Sequence, residues 1–235
     1  MVFVSRSVRQ LWPSGSLQSR VFQSPVDNPV RRAYRLLVFL KGAPSTMAYF
    51  ELQPAESDLQ QLADQYWKEA SERERQLEKA AFEAGAAIRE GDYSLPNLET
   101  IVRWKSERVV HYLIGNSSES LRKALSLAAA PETPVRDAVN ALTGLRGIDL
   151  AIATAILATI HPDRYAVLDY RSLEALGHSR HDVDFYEKYL AYFRHLAECG
   201  VIQAQTDLPG DTTIHALERA LWEYSRSHVS DHVAV

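Results

Sequence analysis

A glycine-centred bend followed by a lone aspartate is the chemistry most readily read from this chain. The stretch from Leu142 to Gly177, LTGLRGIDLAIATAILATIHPDRYAVLDYRSLEALG, runs from a helix end through Leu145-Arg146-Gly147-Ile148-Asp149 into an alanine-rich helix. After a break, Asp169 stands at a new helix start. Gly147 permits a tight turn, and amides at the start of the following helix can point at a phosphate. Asp169 has two roles open to it: capping the amides of Arg171 or Ser172, or acting as a carboxylate where positive charge develops. Asp149 can likewise cap the helix after the bend, and its charge opposes an incoming phosphate.

Other side chains could assist. Arg146, Lys105, Arg103 and Arg171 suit phosphate contact or ordinary surface pairing, while Tyr165, Tyr170, Trp104 and Tyr112 suit stacking on a base or burial in a core. Trp222 falls in an apolar stripe and reads as core. His178-x-x-His181 is too sparse to predict a metal site. With Cys199 as the sole cysteine, an intrachain disulfide and a four-cysteine zinc or iron–sulfur site are excluded. The thiol itself reads as inert, and a reducing cytoplasm fits.

The elements that must position these groups are helices. Ser57 with Gln60 forms a capping-box pattern, and Leu59, Leu62, Ala63, Tyr66, Trp67 and Ala70 follow at helical spacing. The charged SERERQLEK stretch continues or bends that helix, with Gly85 and Gly91 bringing it to an end. Leu98–Leu113 reads as helix in two pieces, closed at Gly115-Asn116. Ser117 or Ser118 caps a helix reaching about Ala130, and Pro134 opens Val135–Thr143. Further helices are expected over Asp149–Ile160, Tyr170–Leu176, Asp182–Glu198 and Thr213–Ser225. No alternating strand pattern, internal repeat or glycine-rich nucleotide loop stands out, so the fold class is all-α. The longest apolar run, Leu150–Ile160, is far short of the roughly 20 residues of a membrane span.

The 235 residues carry 46% apolar side chains and a net charge of −4. That charge divides unevenly. Residues 1–46 hold seven Lys/Arg against Asp27, a net of +6, leaving −10 for the remainder. Residues 1–46 read as a basic, disordered extension, or as sequence upstream of a start at Met47; a transit peptide or DNA-binding arm shares the composition. Residues 47–235 form the all-α domain.

Leu145–Asp149 with Ala151, Ala153 and Ala155, followed by Tyr165-Ala166-Val167-Leu168-Asp169-Tyr170-Arg171, resembles the helix-hairpin-helix (HhH-GPD) DNA glycosylase superfamily. RWKS at Arg103–Ser106, YAVLDYRSLEALG at Tyr165–Gly177 and RALWEYS at Arg219–Ser225 are similar to a bacterial branch of it, so the resemblance spans roughly Leu98–Ser225. It implies a DNA-glycosylase-like fold of two α-subdomains with a cleft between them, double-stranded DNA as partner, and release of an extruded modified base. Asp169 would be the catalytic carboxylate; Arg146, Gly147, Ile148 and Asp149, with Lys105 and Arg171, would hold DNA; Tyr165, Tyr170 and Trp104 would line the base pocket. The family's Schiff-base lysine falls at Ala151, so hydrolysis without lyase activity is expected. A monovalent cation at the hairpin carbonyls is implied, with no other cofactor and no metal. The chain departs from the pattern at Asp149, which replaces a second glycine. The alternatives are a catalytically silent DNA-binding module of the same fold, or a protein-interaction scaffold. The implied location is cytoplasmic, on the nucleoid if DNA is bound.

Overall fold

The computed structural model of the chain describes residues 49–179, 181–204 and 210–229; the expectations for residues 1–46 fall outside them. No strand occurs among the described residues, as the all-α reading requires. The helices are α1 (Leu59–Glu69), α2 (Glu72–Arg89), α3 (Leu95–Ser106), a 3-10 stretch (Glu107–Gly115), α4 (Ser118–Ala129), α5 (Val135–Thr143), α6 (Leu150–Ile160), α7 (Tyr170–Glu174), α8 (Val183–Glu198) and α9 (Thr213–Val229).

Local chemistry explains most boundaries. The capping box forms at Ser71 and Glu74: the Glu74 amide donates to Ser71 Oγ (3.2 Å) and the Ser71 amide to Glu74 Oε2 (2.7 Å). Two orphan donors are satisfied at once, which starts α2 as a helix separate from α1. The box expected at Ser57 does not form. Ser57 lies in a 3-10 turn, Glu56–Asp58, and donates to Asp58 Oδ1. Ser117 caps α4 through the Ser120 amide, Asp149 caps α6 through the Ile152 amide, and Asp182 caps α8 through the Phe185 amide. Pro96 sits in the first turn of α3, where its missing N–H costs nothing. Gly91, at φ 104°, follows the end of α2.

Gly85 does not end a helix. It lies inside α2, where a Cβ would collide with the backbone carbonyl of Thr159. The residue is therefore set by the close approach of α2 to α6. Helix α6 is buried from Ile152 to Ile160, and it packs against α2, α3, α4 and α5. A helix at the centre of a core has no solvent face, hence its nearly continuous Ala, Ile and Leu.

A second set of contacts joins α9 to α1, α7 and α8. Phe50 closes that side against Phe185, Tyr192 and His178, and the amides of Glu51 and Gln53 donate to the Leu176 and Ala175 carbonyls. From Phe50 onward the described residues cluster as one compact unit. No described helix is long and apolar enough to cross a membrane.

Gly85→Ala is expected to destabilise the protein by about 1–3 kcal/mol through overpacking. Urea unfolding measures this; a midpoint equal to wild type would refute the tight α2–α6 seam.

Candidate functional site

The segment leading to Asp169 is extended, buried and tied down along its length. Tyr186 Oη donates to the Ala166 carbonyl (2.8 Å) and Tyr189 Oη to the Val167 carbonyl (3.0 Å). The Val167 amide donates to Glu218, and the Leu168 amide donates to Thr154 Oγ1 (2.9 Å). Buried backbone outside a helix must find such partners, and here α6, α8 and α9 supply them. The arrangement delivers Asp169 to a defined place at the start of α7.

There its two carboxylate oxygens do different work. Oδ1 accepts the Arg171 amide at 2.9 Å as the N-cap of α7. Oδ2 accepts from Lys105 Nζ, on α3, at 2.5 Å. Both side chains are nearly sealed, at 4% exposure for Asp169 and 6% for Lys105. Lys105, expected to touch phosphate, is thus turned inward. The cause is the helical register: Lys105 lies on α3 beside buried Trp104, and its amine neutralises a carboxylate that would otherwise be buried unpaired.

Asp169 lines a cavity of ≈ 10 Å³ with Tyr66, Trp104, Ser172, His215, Glu218 and Arg219. The cavity therefore lies where α1, α3, α7 and α9 meet. It stands in place of the open cleft that the sequence reading expected beside Asp169. Behind it is a buried charged network that sequence reasoning missed. His215 Nδ1 meets Glu218 Oε2 at 2.5 Å, and Nε2 meets Glu78 Oε1 at 3.2 Å. Arg219 reaches Glu78 Oε1 and Asp211 Oδ1, each at 2.5 Å. Tyr66 Oη donates to Glu78 Oε2 at 3.2 Å. Burial alone would raise the Glu78 pKa; Arg219, then His215, overrule it and hold the carboxyl well below the usual range. For His215, burial and Arg219 favour the neutral ring, yet Glu78 and Glu218 outweigh them and raise its pKa above 6.5. The imidazolium is a bridge between α2 and α9.

The hairpin is built separately. Gly147 adopts φ 85°, and a Cβ there would meet Tyr112 Cβ at 2.8 Å. Asn116 grips the bend from outside, accepting the Arg146 amide at 2.8 Å and donating to the Arg146 carbonyl at 3.1 Å. Asp149 Oδ1 already takes the Ile152 amide at 2.9 Å, so one donor at the head of α6 is occupied. The carbonyls of Leu142, Leu145 and Arg146 each accept an internal hydrogen bond. Gly147, Ile148 and Asp149, with Val109, Tyr112 and Ile152, line an open groove of ≈ 420 Å³. Tyr112 and the neighbouring Ile114 are exposed at 52% and 73%.

The expected site residues thus divide. Trp104, Lys105 and Asp169 are brought together, whereas Arg146 is exposed at the hairpin with Asp149, and buried Ile148 supports the bend. No residue lines both the groove and the cavity. Arg171 is half-buried, stacked over Trp222 and Tyr170. Tyr165 is buried beside Arg164 and His161 and does not line the cavity; Tyr170 is exposed. His178 packs edge-on against Phe50 and Phe185. No cluster of three or more His, Cys, Asp or Glu able to hold a metal occurs among the described residues.

Comparison with known protein families, curated proteins and solved structures gives no match.

Two outcomes follow from the ionic network. Lys105→Met is expected to cost about 3–5 kcal/mol, because it leaves Asp169 buried and unpaired; the double variant Lys105→Met/Asp169→Asn should recover most of that loss in denaturant unfolding. Equal stability of all three proteins would show that the pair carries no coupling. The raised His215 pKa favours the folded state fully below the unfolded value of 6.5, and that contribution declines as pH rises through the folded value. His215→Gln should therefore flatten the fall of the urea midpoint at alkaline pH, and an unchanged slope would contradict a protonated bridge.

Proposed function

We propose that the chain is a DNA-glycosylase-like protein that binds double-stranded DNA at the Gly147 hairpin and releases a modified base by hydrolysis at Asp169. One observation carries this reading. A buried carboxylate, fixed as a helix cap and paired with Lys105, lines a small cavity built from four helices. Replacing a buried ion pair with apolar side chains is often neutral or stabilising, so packing alone does not account for such a concentration of buried charge. Function does.

The Lys105 ammonium marks where the Asp169 field stabilises a positive charge. An oxocarbenium-like sugar, formed as a glycosidic bond breaks, draws on the same field. At ≈ 10 Å³ the cavity does not admit a base, so binding must part the walls around Trp104 and withdraw Lys105. Arg146 and the hairpin amides would hold the phosphate backbone while this occurs. Water is the nucleophile, since alanine occupies position 151, where the resemblance places the lyase lysine.

The second reading, a silent DNA-binding or protein-interaction module, has its own supporting observation. Asp149 spends its carboxylate on the α6 amide at the hairpin and puts negative charge where phosphate would dock.

Incubation with duplexes carrying uracil, 8-oxoguanine, hypoxanthine or alkylated bases, followed by alkali, is expected to reveal abasic sites on at least one substrate. Asp169→Asn, and the charge-balanced Lys105→Met/Asp169→Asn, should each lose about 100-fold or more of the rate while keeping helical circular dichroism. Strand cleavage without alkali would place an amine in the reaction and overturn the hydrolytic assignment. Binding that weakens steeply with salt, with no base released from any duplex, would select the silent module; no affinity even at low salt would select the scaffold.

A further inference from the structure

Two arginines beside Tyr165 spend their hydrogen bonds on backbone carbonyls instead of acids. Arg164 donates through Nη1 to the Pro131 carbonyl and through Nη2 to the Thr133 carbonyl (3.1 Å), clasping the turn between α4 and α5. Arg194, exposed on α8, donates from Nη2 to the Arg164 carbonyl (3.0 Å). Asp163 and Glu198, the acids closest to them in sequence, are exposed and form no ion pair with either. Both guanidinium charges therefore stay unneutralised, and most of the five N–H donors that each carries remain free. Tyr165 joins them. It is 2% exposed, Arg164 Cζ lies 5.0 Å from its ring centroid, and its hydroxyl has no hydrogen-bond partner among the described residues. Burial pushes the phenol up, with Arg164 and then Arg194 acting against it, so the hydroxyl stays protonated and both cations act on it. A neighbour feels the same field: His161, its ring 6.0 Å from that of Tyr165, is held below its ordinary pKa by burial, and Arg164 and Arg89 add to the effect. An enclosed donor without a protein acceptor, set beside unneutralised guanidiniums, calls for an oxyanion.

We infer that Tyr165, Arg164 and Arg194 form a binding site for a phosphate group, whose oxygens accept from the Tyr165 hydroxyl and from the free guanidinium N–H groups. A carboxylate offers two oxygens and one charge. A phosphate ester offers more of both, and the guanidinium fork matches it bidentately. The site is independent of the glycosylase reading. It follows the C-terminal end of α6, whereas Asp149 and the hairpin stand at the other end of that 11-residue helix, about 16 Å along its axis. It shares no residue with the hairpin groove or with the cavity at Asp169.

The probe is inorganic phosphate, titrated into the full chain at constant ionic strength and followed by NMR of the arginine Nε–Hε groups and the backbone amides. The Arg194 Nε–Hε peak, assigned by its loss in Arg194→Gln, should shift saturably with phosphate and not with chloride. Tyr165→Phe removes only the hydroxyl and should weaken the affinity read from the amides by about tenfold, the loss of one hydrogen bond to a charged group. Arg194→Gln, at an exposed position, should weaken it by about threefold or more. Arg136→Gln, which removes an exposed arginine already paired with Asp184, should leave it unchanged. A shift that never saturates, or that chloride reproduces, means an adventitious ion only and overturns the site. Wild-type affinity in folded Tyr165→Phe overturns it as well; if that variant does not fold, unchanged affinity in Arg194→Gln does so. An oligonucleotide with a terminal phosphate, set against the same strand without one, separates the sources. Preference for the first assigns a monoester, and equal saturable binding of both, weakened in Arg194→Gln, assigns the backbone diester. Base release, present or absent, alters none of these outcomes.

Discussion

The contact between Lys105 and Asp169 is the constraint on which the organisation of this protein turns. It crosses from α3 to the first residue of α7, joining parts of the chain that are distant in sequence. A buried carboxylate is tolerable only with a partner, and the same carboxylate also closes the open end of a five-residue helix. So short a helix has no independent stability. Its position follows from its cap, and the cap's charge follows from Lys105. The extended segment before it is held by side chains of α6, α8 and α9, so Asp169 cannot move without disturbing three helices.

The neighbouring network of Glu78, His215, Glu218, Arg219 and Asp211 obeys the same rule on a larger scale. Three carboxylates are matched by an imidazolium and a guanidinium, with Tyr66 adding a neutral donor. The directions of the Glu78 and His215 shifts agree: Arg219, then His215, keeps Glu78 ionised, while Glu78 and Glu218 keep His215 protonated. This places a cluster of charged side chains beside Asp169 in the interior of an otherwise apolar bundle. The hairpin faces a different way of meeting solvent. Its groove is open and flanked by exposed Tyr112 and Ile114, whereas the carboxylate is sealed. The groove and the cavity share no lining residue.

Periodicity, capping residues and the Pro and Gly positions were enough to define an all-α chain and nearly every helix, because those signals act over one or two turns. The bend at Gly147 and the helix start at Asp169 were equally legible, each being a local backbone requirement. Ser57 misled because a 3-10 turn over Glu56–Asp58 precedes α1 and Ser57 Oγ turns to Asp58, while Ser71 forms the capping box one helix later. Gly85 misled because a glycine that ends a helix and one that admits a neighbouring backbone look alike in one dimension.

The ionisable groups set the limit. Lys105 reads as a surface cation or a phosphate contact, and nothing in the local pattern marks His215, Glu218 and Arg219 as buried, since charge in a helical pattern ordinarily means water. Their burial depends on which helices surround them, and Glu78 lies more than a hundred residues away from its partners on α9. The sequence alone determined the helices, the bend and the capping aspartate, all fixed by interactions between near neighbours. Only the tertiary structure decided that the aspartate is paired and enclosed, because desolvation and charge matching are properties of the packed assembly.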